Sequence, residues 1–88
     1  MGHEILSGLQ DALAHYQVEG DPLAVAETQC LVGKVLTYRG ETTAANDAFE
    51  SALETAEGIV DSLDRTRVFA ALLPYLSGTQ RQQALELA

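Results

Sequence analysis

Basic residues are scarce in this sequence. Five Lys and Arg stand against thirteen Asp and Glu, and the formal net charge is −8 at pH 7. A chain this acidic repels phosphate backbones and anionic lipid surfaces, so we expect neither nucleic acid nor a membrane as a partner. A helix-turn-helix transcription factor is the least favoured function for the same reason, because no basic face is available to meet phosphates.

Cysteine and clustered metal ligands are also nearly absent. Cys30 is the single cysteine, which excludes an internal disulfide and predicts a reducing, cytoplasmic location. His15 follows Asp11 by one helical turn, but two ligands without a third make no recognisable metal site. Gly33 and Lys34 lack the glycine-rich loop of a phosphate cradle. We therefore expect no metal, no cofactor and no enzymatic activity.

Long apolar runs are missing as well. The longest run, residues 68–76, contains Pro74 and falls far short of the ~20 residues that span a bilayer. Tryptophan is absent and aromatic residues make up 6%, so alanine and leucine dominate the apolar set and favour helices over strands. The apolar fraction of 47% is typical of one small globular domain, residues 1–88.

Apolar residues recur at helical spacing along most of the chain. Asp21 and Pro22 form a favoured helix start, Gly40 forms a favoured end, and Pro74 predicts a bend. With short connections and no strand signal, the predicted fold class is all-α, an antiparallel helix-turn-helix array. The pattern predicts five helices, over residues 4–18, 22–39, 41–57, 61–76 and 80–87.

Small and large apolar residues alternate at regular spacing between residues 26 and 55. The positions concerned are Gly33 and Gly40, followed by Ala45, Phe49 and Ala52. This segment resembles one tetratricopeptide repeat, a family of paired antiparallel helices that recur every ~34 residues. The resemblance implies that Gly33 lies where the two helices touch, that Gly40 lies in the turn, and that the other three pack the second helix. It also implies a leading helix at 4–18, a best-matched repeat at 22–57 and a partial repeat at 61–88.

The match to the family is divergent. Gln29 stands where the family has a large residue, Leu36 replaces a tyrosine, and the closing proline is missing. The alternative architecture is a generic four- or five-helix bundle whose alanines and leucines fall at these spacings.

Members of this family hold a peptide or helix in a groove lined by the first helix of each pair. A lysine in such a groove can pair with a partner's carboxylate, and a tyrosine offers an apolar ring and a hydroxyl. The alternative for these two residue types is a solvated lysine and a tyrosine packed on the next helix. For this chain the resemblance implies a groove lined by Glu27, Cys30, Lys34, Thr37 and Tyr38.

Residues 68–76 are apolar on all sides of a helix, although an outer helix normally has a polar face. Because the predicted fifth helix is short, we expect an apolar C-terminal end that a second chain covers. The alternative is a monomer in which the fifth helix folds back over this surface. The residues of this expected interface are Phe69, Leu72, Tyr75, Leu76, Leu85 and Leu87.

These observations together favour a non-catalytic protein-interaction module. It would bind a peptide or helix of a partner protein and form homo-oligomers through its C-terminal helices. The alternative is a purely structural role, as an oligomerisation domain or as one slice of a larger helical-repeat regulatory protein.

Overall fold

A computed structural model describes residues 2–76 of the chain, together with Gly78, Arg81, Gln82 and Glu86. In this part the chain forms helices and no strand, so the predicted all-α fold class is confirmed. The predicted fifth helix, with Leu85 and Leu87, falls mainly outside the described residues. The helices are α1 (Gly2–Glu19), α2 (Pro22–Tyr38), α3 (Thr42–Glu57) and α4 (Ser62–Leu72), and a 3-10 turn (Leu73–Tyr75) follows α4.

Local side chains start α2 and α4 at the predicted positions. The carboxylate of Asp21 accepts a hydrogen bond from the backbone N–H of Ala24 at 3.1 Å, and Pro22 occupies the first helical turn. Asp61 accepts in the same way from the N–H of Asp64 at 2.9 Å. Each carboxylate satisfies an amide that has no partner inside the helix, which is why both helices begin where they do.

Glycines in the left-handed conformation end α1 and α2. The φ angles of Gly20 and Gly40 are +71° and +80°, values that a residue with a Cβ adopts only with strain. The N–H of Gly40 donates to the carbonyl of Thr37 at 3.0 Å, and the N–H of Glu41 donates to that of Leu36 at 2.9 Å. This pair of bonds is the Schellman motif, which reverses the chain between antiparallel helices.

The second helix is the centre of the fold. It packs against α1, α3 and α4, and its most extensive contact is with α3. The small side chains of Ala26 on α2 and Ala52 on α3 are completely buried, so the two helices approach closely. The rest of the core comes from α2, α3, α4 and the segments that follow α3 and the 3-10 turn: Cys30, Val32 and Leu36, then Ala45, Phe49, Leu53 and Ala56, then Ile59, Val68, Phe69, Leu72 and Leu76.

Gly33 lies directly against the ring of Phe49. A Cβ added at Gly33 would lie 2.5 Å from Cε1 of Phe49, far inside van der Waals contact. The absence of a side chain at this position therefore allows the aromatic ring of α3 to lie on the backbone of α2. The resemblance to a tetratricopeptide repeat implies this contact between the two helices at Gly33.

The end of α4 differs from the sequence-based expectation. The fourth helix was expected to continue to Leu76, but the α-helix ends at Leu72 and the 3-10 turn replaces its last residues. Pro74 explains the difference, because it has no N–H to donate and its ring disfavours a continuing α-helix. The turn lets the ring of Tyr75 stack on Phe49, with centroids 4.9 Å apart.

The expected C-terminal interface is corrected by this geometry. Among the described residues of this interface, Phe69, Leu72 and Leu76 are buried in the chain's own core and Tyr75 is 37% exposed, whereas Leu85 and Leu87 lie outside the described residues. Val68, Phe69, Leu72 and Leu76 of this run are thus covered inside the monomer, whereas Ala70, Ala71 and Pro74 stay exposed. These buried side chains are not available to a second chain without opening the fold.

The helices form a flat assembly with principal dimensions of 37 × 31 × 15 Å. Helix α1 packs on α2, and none of its described side chains, from Ile5 onward, is fully buried. No helix in the described part of the chain combines the length and the apolar character needed to cross a membrane.

Candidate partner-binding groove

The residues predicted to line a groove lie along α2 with very different exposures. Glu27 and Thr37 are exposed, Lys34 is half-buried, and Tyr38 is 94% exposed. Cys30 is buried in the core, so its side chain is not part of the outer surface. The structure thus separates one core residue from four residues that a partner can reach.

A cleft of about 140 Å³ lies between α2 and α4. Glu27 and Lys34 line it from α2, Ala71 lines it from α4, and Cys30 contributes to its wall. Leu31, which is not among the predicted groove residues, also lines the cleft and is 46% exposed. Its position four residues after Glu27 places it on the same helical face, and this spacing is the signal that could have identified it.

A second cleft, of about 290 Å³, lies on the other side of the same helical face. Its lining residues include Tyr16 of α1 together with Leu23 and Thr28 of α2. Glu27 and Leu31 line this cleft as well as the one beside α4. The outer face of α2 is therefore a ridge between two depressions, with Leu31 on the ridge.

Lys34 is positioned by an aromatic ring. Its Nζ lies 5.6 Å from the centroid of the Tyr75 ring, a distance at which the ring attracts a cation. The Tyr75 ring also stacks on Phe49, whose own ring lies against Gly33. The lysine is thus neither free in solvent nor paired with an acidic residue of its own helix, and a column of stacked groups connects it to the core.

The thiol of Cys30 is electrostatically unsuited to nucleophilic chemistry. Burial raises the pKa of Cys30 above its ordinary value, nearby Lys34 lowers it, and Glu27 raises it. Because burial is the largest of these effects, the thiol keeps its proton at neutral pH. Cys30 thus acts as a small apolar residue of the core.

His15 is exposed and interacts within its own helix. Its Nε2 lies 3.3 Å from Oε1 of Glu19, one turn further along α1, and its ring makes an edge contact with Tyr16. The pairing with Asp11 considered from the sequence is thus replaced by one with Glu19. Within the described residues, no group of three or more His, Cys, Asp and Glu side chains could hold a metal ion.

Gln29, at the position where the tetratricopeptide family has a large residue, joins α2 to α3. The hydroxyl of Thr55 donates a hydrogen bond to the amide oxygen of Gln29 at 2.8 Å. A polar bridge therefore occupies a position where an apolar contact would be expected from the family.

Comparison with known proteins gives no relative. No protein-family profile, no curated protein and no solved structure matches this chain.

Proposed function

We propose that this chain is a non-catalytic protein-interaction module with a tetratricopeptide-like arrangement, which binds a peptide or helix of a partner along the outer face of α2. The observation that carries the proposal is the exposure of Leu31, which lines two clefts, and of Tyr38, two turns further along the same helical face. We also place this interaction in the cytoplasm, because the only cysteine is a free thiol.

The exposed apolar side chains supply the binding energy in this proposal. Covering a leucine side chain contributes about 1.5–3 kcal/mol, and tyrosine is among the residues that dominate measured binding interfaces. Leu31 lies on the ridge between the clefts, where apolar groups of a partner could pack on both of its sides. Tyr38 lies seven residues further along α2, which is about 10 Å away along the helix axis.

The charged side chains supply orientation. Glu27 and Lys34 lie on opposite sides of Leu31 along α2 and carry opposite charges. A partner with a basic and an acidic residue at matching separation binds in one direction only, because the reversed direction brings like charges together. The contact of Lys34 with Tyr75 restricts the lysine before binding, which lowers the entropy lost on forming an ion pair.

Selection from a library of random peptides, followed by NMR titration, tests this proposal. Peptides that bind should shift the backbone amide signals of residues 27–38 and of Ala71. We expect Leu31→Ser to weaken binding by about tenfold, which corresponds to ~1.4 kcal/mol. Val60→Ser removes a comparable exposed side chain from the α3–α4 connection and should leave the affinity unchanged.

Two outcomes would overturn the proposal. One is a selection that yields no peptide with an affinity for the folded chain. The other is a set of peptides whose signals map away from α2 and whose affinity is unaffected by Leu31→Ser. Either result would leave the exposed face of α2 without a binding role.

A structural role is the second candidate function, and the exposed side chains of α1 favour it. Ile5 is 57% exposed, and the described side chains of α1 are only partly covered by α2. Self-association or stacking in a larger helical array would cover this face. Light scattering over a dilution series distinguishes the two functions, because Ile5→Glu should abolish assembly in a structural role and should not change peptide binding.

A further inference from the structure

The two connections α1–α2 and α3–α4 lie together at one end of the molecule. Gly20, Pro22 and Val25 share a cleft of about 370 Å³ with Thr55 of α3, and the hydrogen bond between Thr55 and Gln29 closes the helix pair there. We call this region, residues 17–22 and 54–64, the turn end. Among the described residues, its cleft shares no lining residue with the α2–α4 cleft, and it shares only Asp21 with the cleft of about 290 Å³ beside α1.

The turn end exposes large apolar side chains. Val18 is 88% exposed, Val60 is 95% exposed and Leu63 is 70% exposed. Single exposed apolar residues need no explanation, but three in the short segments that meet at one end of a small domain are typical of an interaction surface.

The structure holds these side chains in place. Ile59 is buried, and Asp61 caps α4, so Val60 between them is directed outward. Nη1 of Arg65 donates a hydrogen bond to the carbonyl of Ile59 at 3.0 Å, which ties the connection to α4. The exposure of Val60 is therefore a property of the folded connection, and a partner that binds it does not have to order a free loop.

The two segments of the turn end carry charge of one sign. The two segments of the turn end contain no lysine or arginine, and Arg65, which follows them, has its guanidinium on the Ile59 carbonyl. The acidic residues of the segments are Glu19, Asp21, Glu54, Glu57, Asp61 and Asp64.

The acidic residues of the turn end determine which kind of partner can bind there. A second copy of the chain would bring the same acidic residues and a net charge of −8 to the surface, and nucleic acid or anionic lipid would be repelled in the same way. A basic segment is attracted over a distance of about one Debye length, ~8 Å at physiological salt. Its apolar side chains then cover those of the turn end.

We propose that the turn end is a docking surface for a basic, amphipathic segment of another protein, which covers Val18, Val60 and Leu63 and places lysine or arginine beside its acidic residues. This surface is additional to the α2 groove of the proposed function and does not depend on it.

The test uses a short synthetic peptide of leucine and lysine at helical spacing, titrated into the whole chain and followed by NMR. The amide signals of residues 17–22 and 54–64 should shift. We expect the double variant Val60→Ser/Leu63→Ser to weaken binding by at least about tenfold. Ile5→Ser removes a similarly exposed apolar side chain from α1, outside both proposed binding surfaces, and serves as the matched control, with no expected change.

A second pair of variants tests whether binding depends on the acidic residues of the turn end or only on the net negative charge of the chain. Glu19→Gln/Asp64→Asn removes two charges at the turn end, and Asp47→Asn/Glu50→Gln removes two exposed charges from the middle of α3. The first pair should weaken binding severalfold more than the second. All changed side chains are at least partly exposed, and circular dichroism melts verify that each variant is folded.

The proposal is overturned if the peptide signals map to the outer face of α3 or to the α2 groove. It is also overturned if Val60→Ser/Leu63→Ser binds as tightly as the unaltered chain, or if the two charge pairs have equal effects. Loss of peptide binding in the α2 groove would leave this proposal intact, so the two surfaces are tested independently.

Discussion

At the scale of single residues, the contact between Gly33 and Phe49 has no spare room. The ring of Phe49 lies between the backbone of α2 and the ring of Tyr75, and Tyr75 in turn contacts Lys34. Three separate elements therefore meet at one aromatic side chain. A change at Gly33 moves this ring and, through it, the lysine that lines the α2–α4 cleft.

Gly33→Ala should lower the stability of the fold. The added methyl group overlaps the Phe49 ring, and overpacking of this kind costs about 1–3 kcal/mol. Alanine offsets up to ~1 kcal/mol of this because it favours the helix more than glycine. We expect a net loss of about 1–2 kcal/mol in the free energy of unfolding, measured by urea denaturation.

Gly8 provides the matched control for this substitution. It also lies inside a helix, but a Cβ added there meets nothing within 4 Å. Gly8→Ala should therefore raise stability by up to ~1 kcal/mol. If both variants are stabilised, the close approach of α2 and α3 at Gly33 is not a determinant of the fold.

The buried thiol of Cys30 should make stability depend on alkaline pH. Burial raises the pKa of Cys30 above 9.0 in the folded chain, so on raising the pH the unfolded chain loses its thiol proton first. The stabilisation is complete below 9.0 and is lost as the pH rises through the folded value. Denaturation of the unaltered chain and of Cys30→Ala, compared between neutral and alkaline pH, measures this effect. A pH dependence that is identical in both proteins would contradict it.

At the scale of secondary-structure elements, the helix ends were the most predictable feature. The Asp21 and Asp61 caps and the glycine at 40 act on backbone groups a few residues away, so their effect is encoded locally. The predicted bounds of α2 and α3 accordingly agree with the structure to within a residue or so. The end of α4 was less predictable, because Pro74 permits either a bent helix or a 3-10 turn and packing of Tyr75 decides between them.

Gly40→Ala tests the importance of the left-handed helix end. Alanine at a φ of +80° is strained, and the cost is about 1–2 kcal/mol. Gly58, at the end of α3, has a φ of −86°, so Gly58→Ala should be neutral or slightly stabilising. Thermal denaturation of the two variants gives the comparison. Equal melting temperatures would mean that the conformation of Gly40 does not limit stability.

At the scale of the whole molecule, the missed features are those that depend on distant parts of the chain. Periodicity indicates that residues 68–76 must be covered, but it does not indicate by what, and the structure covers Phe69 and Leu72 with the chain's own core. Similarly, residues 17–22 and 54–64 are far apart in sequence, and only the antiparallel packing of α2 and α3 brings them together. Helical spacing places the predicted groove residues along α2, but it does not show that Cys30 is buried or that Leu31 is exposed, because both depend on the packing of α4 and α1.

Repulsion among the acidic residues, which give the chain a net charge of −8, should lower the stability of the fold. A substitution at Glu54 can measure this effect. Glu54 is exposed on α3, four residues after Glu50, so the two carboxylates repel each other. Glu54→Lys replaces this repulsion by attraction and places a cation near the C-terminal end of α3, where the helix dipole favours it. We expect a gain of about 0.5–1 kcal/mol in the free energy of unfolding at low salt, and a smaller gain for Glu54→Gln. Because these are interactions between exposed charges, molar salt should remove most of the difference. A gain that persists at high salt would show that another property of the side chain, and not its charge, is responsible.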